Sequence, residues 1–174
     1  MPTDRSESGF RVNAYTDPVV IQVNGKASYL NSGPVRQFFQ DMFARNKRSF
    51  VVDFSRCTSM DSTFLGIIAG AALELGKMDP SGTLVLCRLG NRNLELVRNL
   101  GLHRLCIVDN GSFPMSFDSD RAESLAEQSQ KKSKDLERAS MILKAHENLV
   151  EADESNLHKF QDVISYLKNQ LDEE

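Results

Sequence analysis

The sequence predicts an α/β domain followed by a helical extension. Through the first two thirds of the chain, β-branched runs alternate with segments whose apolar residues recur at helical spacing. Through the last third, apolar residues recur every seventh position. No Gly or Pro occurs after Pro114, which suits uninterrupted helix there.

The elements follow in order. Residues before about Thr16 read as an arm in which Phe10, Val12 and Tyr15 alternate and suit an added edge strand. The run VVIQV at 19–23 is a β-branched strand. Asn24-Gly25 signals a turn leading toward a second short strand within 24–30. The segment from Asn31 begins a helix: Ser32 can cap it, Pro34 suits its first turn, and Val35, Phe38, Phe39, Met42 and Phe43 form one apolar face. Arg45, Lys47 and Arg48 lie at its C-terminal end, where the helix dipole favours cations. SFVVDF at 49–54 is the clearest strand, and Leu65–Leu75 is Ala-rich and helix-forming. A turn at 79–82, a strand at 83–89, a helix over 91–105 ended by Gly101, and a last strand at 105–109 complete the unit. Gly111 and Pro114 are expected to close it. This order predicts a mixed sheet of four to five strands with helices packed on it, over residues 1–118.

Residues 119–174 are the extension. One heptad row is Leu136, Leu143, Val150, Leu157, Ile164 and Leu171, and a second is Ala139, His146, Asp153, Phe160 and Leu167. His146 and Asp153 interrupt the second row. Two readings follow: one long coiled-coil-like helix, or two helices broken near 151–156 with Ser155 or Asn156 capping the second. The Asp153 defect favours the break. Either form leaves an apolar stripe that needs a partner surface, which is this domain, a second copy in a homodimer, or another protein.

Composition narrows the function. The 174 residues are 40% apolar, enough for one packed core. No apolar run reaches the ~18 residues of a membrane span, and the polar start MPTDRSESGF lacks the apolar segment of a secretory signal. The expected location is cytoplasmic. Cys57, Cys87 and Cys106 make an odd set without C-x-x-C spacing, as reduced structural thiols do. The net charge is −3; from Ser119 onward 13 acids face 8 bases, a balance of −5, which leaves the first 118 residues at +2. That near-neutral surface, without a basic stripe, argues against nucleic acid as a partner. His103, His146 and His158 show no metal-ligand spacing, and there is no Gly-rich phosphate loop and no G-x-S-x-G elbow. No catalytic residue, metal or cofactor is expected, and the protein reads as a substrate of enzymes, not an enzyme.

The most informative stretch is Met60-Asp61-Ser62-Thr63-Phe64-Leu65-Gly66, placed after a strand ending Val51-Val52-Asp53-Phe54-Ser55. It resembles the STAS family, and within it the bacterial anti-sigma factor antagonists. Their pattern is a strand ending Asp-Leu-Ser, a short loop, and Met-Asp-Ser-Ser-Gly-Leu-Gly opening a helix. The resemblance covers roughly residues 10–115 and extends to Gly101-Leu102 near its end. Thr63 stands where the family has its second Ser, and Phe64 where it has Gly. The resemblance implies that Ser62 is phosphorylated by an anti-sigma factor serine kinase, that only the unmodified form binds that kinase, and that a serine-type protein phosphatase resets the switch. It also implies a partner surface around Asp61, Ser62 and the start of the following helix.

Each residue of that surface has a plainer role beside the functional one. Ser62 can be a helix cap, with Ser59 or Asp61 sharing the task. Asp53 can orient the Ser62 hydroxyl or simply end a strand. Asn31 and Ser32 can join the partner surface or only cap the first helix. Met60, Thr63, Phe64, Leu65 and Gly66 are expected to line the docking face. The same stretch accommodates an alternative without phosphorylation: a STAS scaffold or accessory subunit of a larger complex, docked through the heptad stripe.

Overall fold

In a computed structural model, residues 8–109, 117–125 and 134–172 are described. Strand β1 is Gly9–Asn13 and β2 is Val19–Ala27; helix α1 is Gly33–Ala44 and β3 is Ser49–Met60. Helix α2 is Ser62–Lys77, β4 is Thr83–Cys87, α3 is Asn91–Asn99, and β5 is Ile107–Asp109. Strand β6 is Glu123–Ser124, and the extension forms α4, Lys134–Ala152, and α5, Asn156–Asp172. The sheet order is β5-β4-β3-β2-β1-β6. Strands β2 to β5 run parallel, while β1 and β6 are antiparallel additions at one edge.

One face of the sheet carries Phe10, Val12, Ile21, Phe50, Val52, Phe54 and Leu86, all buried against Phe39, Phe64, Leu65, Ile68 and Leu75 of α1 and α2. The opposite face carries a smaller apolar cluster of Val20, Val51, Val85 and Cys87, with Phe117 against it. Alternation along the strands thus divides β2 and β3 between two buried faces, and both read as continuous apolar runs.

Several expectations change. No chain reversal occurs at Asn24-Gly25: β2 runs through it. Gly25 takes a left-handed φ of 71°, and the strand absorbs it as irregularities in its pairing with β3. Strand β3 does not end near Ser55. Arg56, Cys57, Ser59 and Met60 continue the ladder opposite Asn24, Gly25, Lys26 and Ala27. The long β2 partner is the reason, because it offers paired backbone all the way to the start of α2. The first edge strand stops at Asn13, and Tyr15 is 79% exposed. Helix α3 ends at Asn99, with Gly101 left-handed at φ 77° and a 3-10 turn following at Leu102–Arg104. Gly111 and Pro114 lie outside the described residues.

The extension is a helical hairpin that folds back on the domain. The break falls at Asp153-Glu154-Ser155, and the Asp153 carboxylate accepts hydrogen bonds from the Ser155 N–H and hydroxyl. Those two donors, with Arg104 nearby, hold its carboxyl below the usual carboxylate range. Buried Asn156 donates to the carbonyls of Leu100 and Leu149, and Lys159 donates to the carbonyl of Asn99. The turn is therefore tied to the C-terminal end of α3. Helix α4 then crosses α2, burying Met141, Ala145, His146 and Leu149.

Among the described helices, none is long and apolar enough to cross a membrane. No disulfide joins Cys57, Cys87 and Cys106. Burial pushes Cys57 and Cys87 up to about 11 and Cys106 to about 12, so all three stay protonated near neutral pH.

Candidate functional site

The junction between β3 and α2 is built around Asp61. It is the N-cap of α2, and its carboxylate accepts from the Phe64 N–H at 2.9 Å. Its other oxygen accepts from the Tyr29 N–H at 2.8 Å, tying the β2–α1 loop to the start of α2. Ser62 is the first residue of the helix. Its hydroxyl therefore has no capping duty, because Asp61 performs it.

The Ser62 hydroxyl instead meets His146 of α4, with Oγ 2.8 Å from Nε2. The other ring nitrogen, Nδ1, lies 2.7 Å from the Ile142 carbonyl. A carbonyl only accepts, so in the neutral ring Nδ1 carries the proton and Nε2 accepts from Ser62. The ring is 3% exposed and packs edge-on against Phe160 of α5, with centroids 4.9 Å apart. Of the two residues that interrupt the heptad row, His146 is thus the one that reaches the serine.

The fit between α2 and α4 depends on two glycines. A Cβ at Gly66 would lie 2.2 Å from the Ala145 carbonyl oxygen, and one at Gly70 would lie 2.4 Å from the Asn148 amide nitrogen. Asn148 also donates to the Gly66 carbonyl at 3.3 Å. At Gly66 the neighbour is backbone, so only glycine there lets the two helix backbones approach this closely; at Gly70 it is the Asn148 side chain. A groove of about 370 Å³ beside this joint is bordered by α1, α2 and α4, and neither Ser62 nor His146 lines it.

The other expected site residues fall in different places. Phe64 is fully buried; its ring stacks on Phe10 at 5.7 Å and meets Phe54 edge-on at 6.4 Å. It belongs to the core and does not line a docking face, because the third position of α2 faces the sheet. Met60, Thr63 and Leu65 are also buried, at 8%, 4% and 1% exposure. Asp53 does not orient Ser62. It is buried on the opposite sheet face, accepts from the Ser55 N–H and hydroxyl, and lies 3.8 Å from the Arg88 guanidinium.

Asn31 and Ser32 brace the β2–α1 loop from within. The Asn31 amide accepts from the Ser28 N–H and donates to the Lys26 carbonyl, and the Ser32 hydroxyl donates to the Ser28 carbonyl. Ser32 sits at the N-cap of α1 without a side-chain cap bond. What remains on the surface beside Ser62 is Tyr29, 42% exposed, and Leu30, 55% exposed. Arg138 of α4 lies over the Tyr29 ring. Sequence reasoning passes over this pair, since a tyrosine and a leucine in a loop carry no periodic signal. Among the described residues, no three His, Cys, Asp or Glu side chains gather as metal ligands would.

A protein-family model described as "Mlab, STAS domain" matches residues 10–109. Among solved structures, the anti-sigma factor antagonist SpoIIAA in its unphosphorylated form is 19% identical. The match covers 59% of this chain and 89% of that one, with a TM-score of 0.49. The Bacillus cell fate determinant SpoIIAA in its phosphorylated form is likewise 19% identical. It covers 58% and 91% of the two chains, with a TM-score of 0.48. No curated protein matches the chain.

Proposed function

We propose that this chain, which belongs to the STAS-domain family, is a regulatory binding module of the anti-sigma factor antagonist kind with Ser62 as its phosphoacceptor. In this reading an anti-sigma factor serine kinase binds the unmodified form and phosphorylates Ser62, and a serine-type phosphatase restores it. The chain acts as a substrate and partner, not as an enzyme. One observation carries the reading: Asp61 caps α2, so the Ser62 hydroxyl stands at the helix start with no structural duty to the helix.

The physics of that position suits a switch. A phosphate adds about −1.5 to −2 charge, and a helix N-terminus favours it by about 0.3–1 kcal/mol. The start of α2 therefore tolerates the added charge. A partner docked over Ser62 does not, because it must face a dianion beside the Asp61 carboxylate, and 1.4 kcal/mol is already tenfold in affinity. In a pull-down with the kinase, the full-length Ser62→Asp chain should lose at least about tenfold in binding, while Ser62→Ala binds throughout growth. Equal binding by the two variants would refute the switch.

A second reading, a scaffold or accessory subunit without phosphorylation, is favoured by the seating of α4 over Ser62. Its docking or homodimer surface would use the hairpin's apolar stripe. Leu136 and Leu157 are exposed there, Leu143, Val150, Phe160 and Leu171 are half-buried, and Ile164 and Leu167 are buried.

A further inference from the structure

We propose that the α2 face bearing Ser62, Gly66 and Gly70 is a receptor for a helix, and that α4 is its intramolecular occupant, competing with the partner's own helix. The proposal rests on reading the Ser62 face as the partner surface. The features of α4 define what fits. A small residue, Ala145, brings its backbone carbonyl onto Gly66. The next residue places an acceptor nitrogen opposite the Ser62 hydroxyl. Three positions beyond Ala145, the Asn148 amide donates to the Gly66 carbonyl. Met141 and Leu149, four positions to either side of Ala145, are buried at 7% and 0% exposure.

The partner is therefore a protein that presents an amphipathic helix of this pattern: apolar, small, acceptor, amide donor, apolar. It can extend its contact onto exposed Tyr29 and Leu30, which border the same junction. The hairpin and the partner cannot both occupy the seat, since Gly66 leaves no space for a second backbone. The unmodified protein then exists as closed and open forms, and a partner binds only the open one. Its apparent affinity is reduced by the open fraction. A phosphate on Ser62 excludes both occupants, because the hydroxyl is already in contact with a buried ring.

The test uses the full-length chain and a fluorescent synthetic peptide of residues 134–172. Ala145→Arg alters only the hairpin side of the joint and places a long cation where Gly66 leaves no space. The peptide should bind the Ala145→Arg chain saturably and at least about tenfold tighter than the wild-type chain, whose tethered α4 holds the seat at high effective concentration. Adding Gly66→Ala to that variant should abolish the binding. Absence of saturable binding to the Ala145→Arg chain, or equal affinity for both chains, overturns the proposal.

If the variant's sheet is unfolded, hydrogen exchange on the wild-type chain decides. Amides of α4 and α5 should exchange at least about tenfold faster than those of β2 and β3, through opening of the hairpin alone. Exchange at the same rate in all four elements overturns the proposal. The peptide assay involves no phosphate, so its outcome is independent of whether Ser62 is modified in cells.

Discussion

Replacing Phe64 with alanine should lower the unfolding free energy by about 3–5 kcal/mol, the usual cost of emptying a large aromatic site in a core. The ring is fully buried between Phe10 of β1 and Phe54 of β3. It joins β1, β3 and the first turn of α2. Little can collapse into the space, since Phe10 and Phe54 are fixed by their own strands. Urea unfolding measures the change. A shift below about 0.5 kcal/mol would place Phe64 on the surface instead, as surface substitutions behave. The contrast with Ser62→Ala is useful. That change leaves the buried His146 Nε2 without its donor, a cost of about 1–3 kcal/mol, so two residues of the same motif separate into a core member and a switch.

Gly66→Ala should release the hairpin from a domain that stays folded. Within α2 the change is favourable, because alanine is better than glycine in a helix interior by about 1 kcal/mol. The new Cβ would stand 2.2 Å from the carbonyl oxygen and 2.5 Å from the carbonyl carbon of Ala145, both backbone atoms. They can yield only if α4 lifts. Lifting exposes Leu149 and Met141, each worth about 1.5–3 kcal/mol of burial, and breaks the contact between Ser62 and His146. Hydrogen exchange should show α4 and α5 losing at least about tenfold in protection while β2 and β3 keep theirs. Unchanged protection of α4 would mean that the close approach of the two helices is not what holds the hairpin.

The strand-and-helix order was legible because alternating burial writes itself into β-branched runs such as Val19–Val23 and Phe50–Phe54. The Asp61-Ser62 pair was legible as a strand–helix junction. Which of the two caps was not, since Asp and Ser are equally good caps and only the backbone decides. The placement of Phe64 was hidden for a related reason. A residue's face on a helix depends on where the helix starts, and β3 runs to Met60, beyond the point its apolar run suggests.

In the extension, Asp153 correctly signals the break, and its carboxylate bonds within the turn explain why an acid stands there. His146 looked like a flaw in a dimer seam. It is a polar residue on a buried face because it has a polar partner 84 residues away, and no local pattern encodes such a pair. The heptad rows left the partner of the stripe open, and the domain contact of α4 falls mostly off them: Met141, Ala145 and Leu149 are buried, while Leu136 is exposed and Leu143 and Val150 are half-buried.

In the proposed mechanism Ser62 is a phosphoacceptor and α4 controls access to it. Site-resolved mass spectrometry of the full-length protein from its native cells, wild type beside Ala145→Arg, tests both together. Phosphate on Ser62 in both chains, at a clearly higher fraction in the variant, is the predicted result. A Ser62 that is unmodified in both, or modified to the same fraction in both, would contradict it.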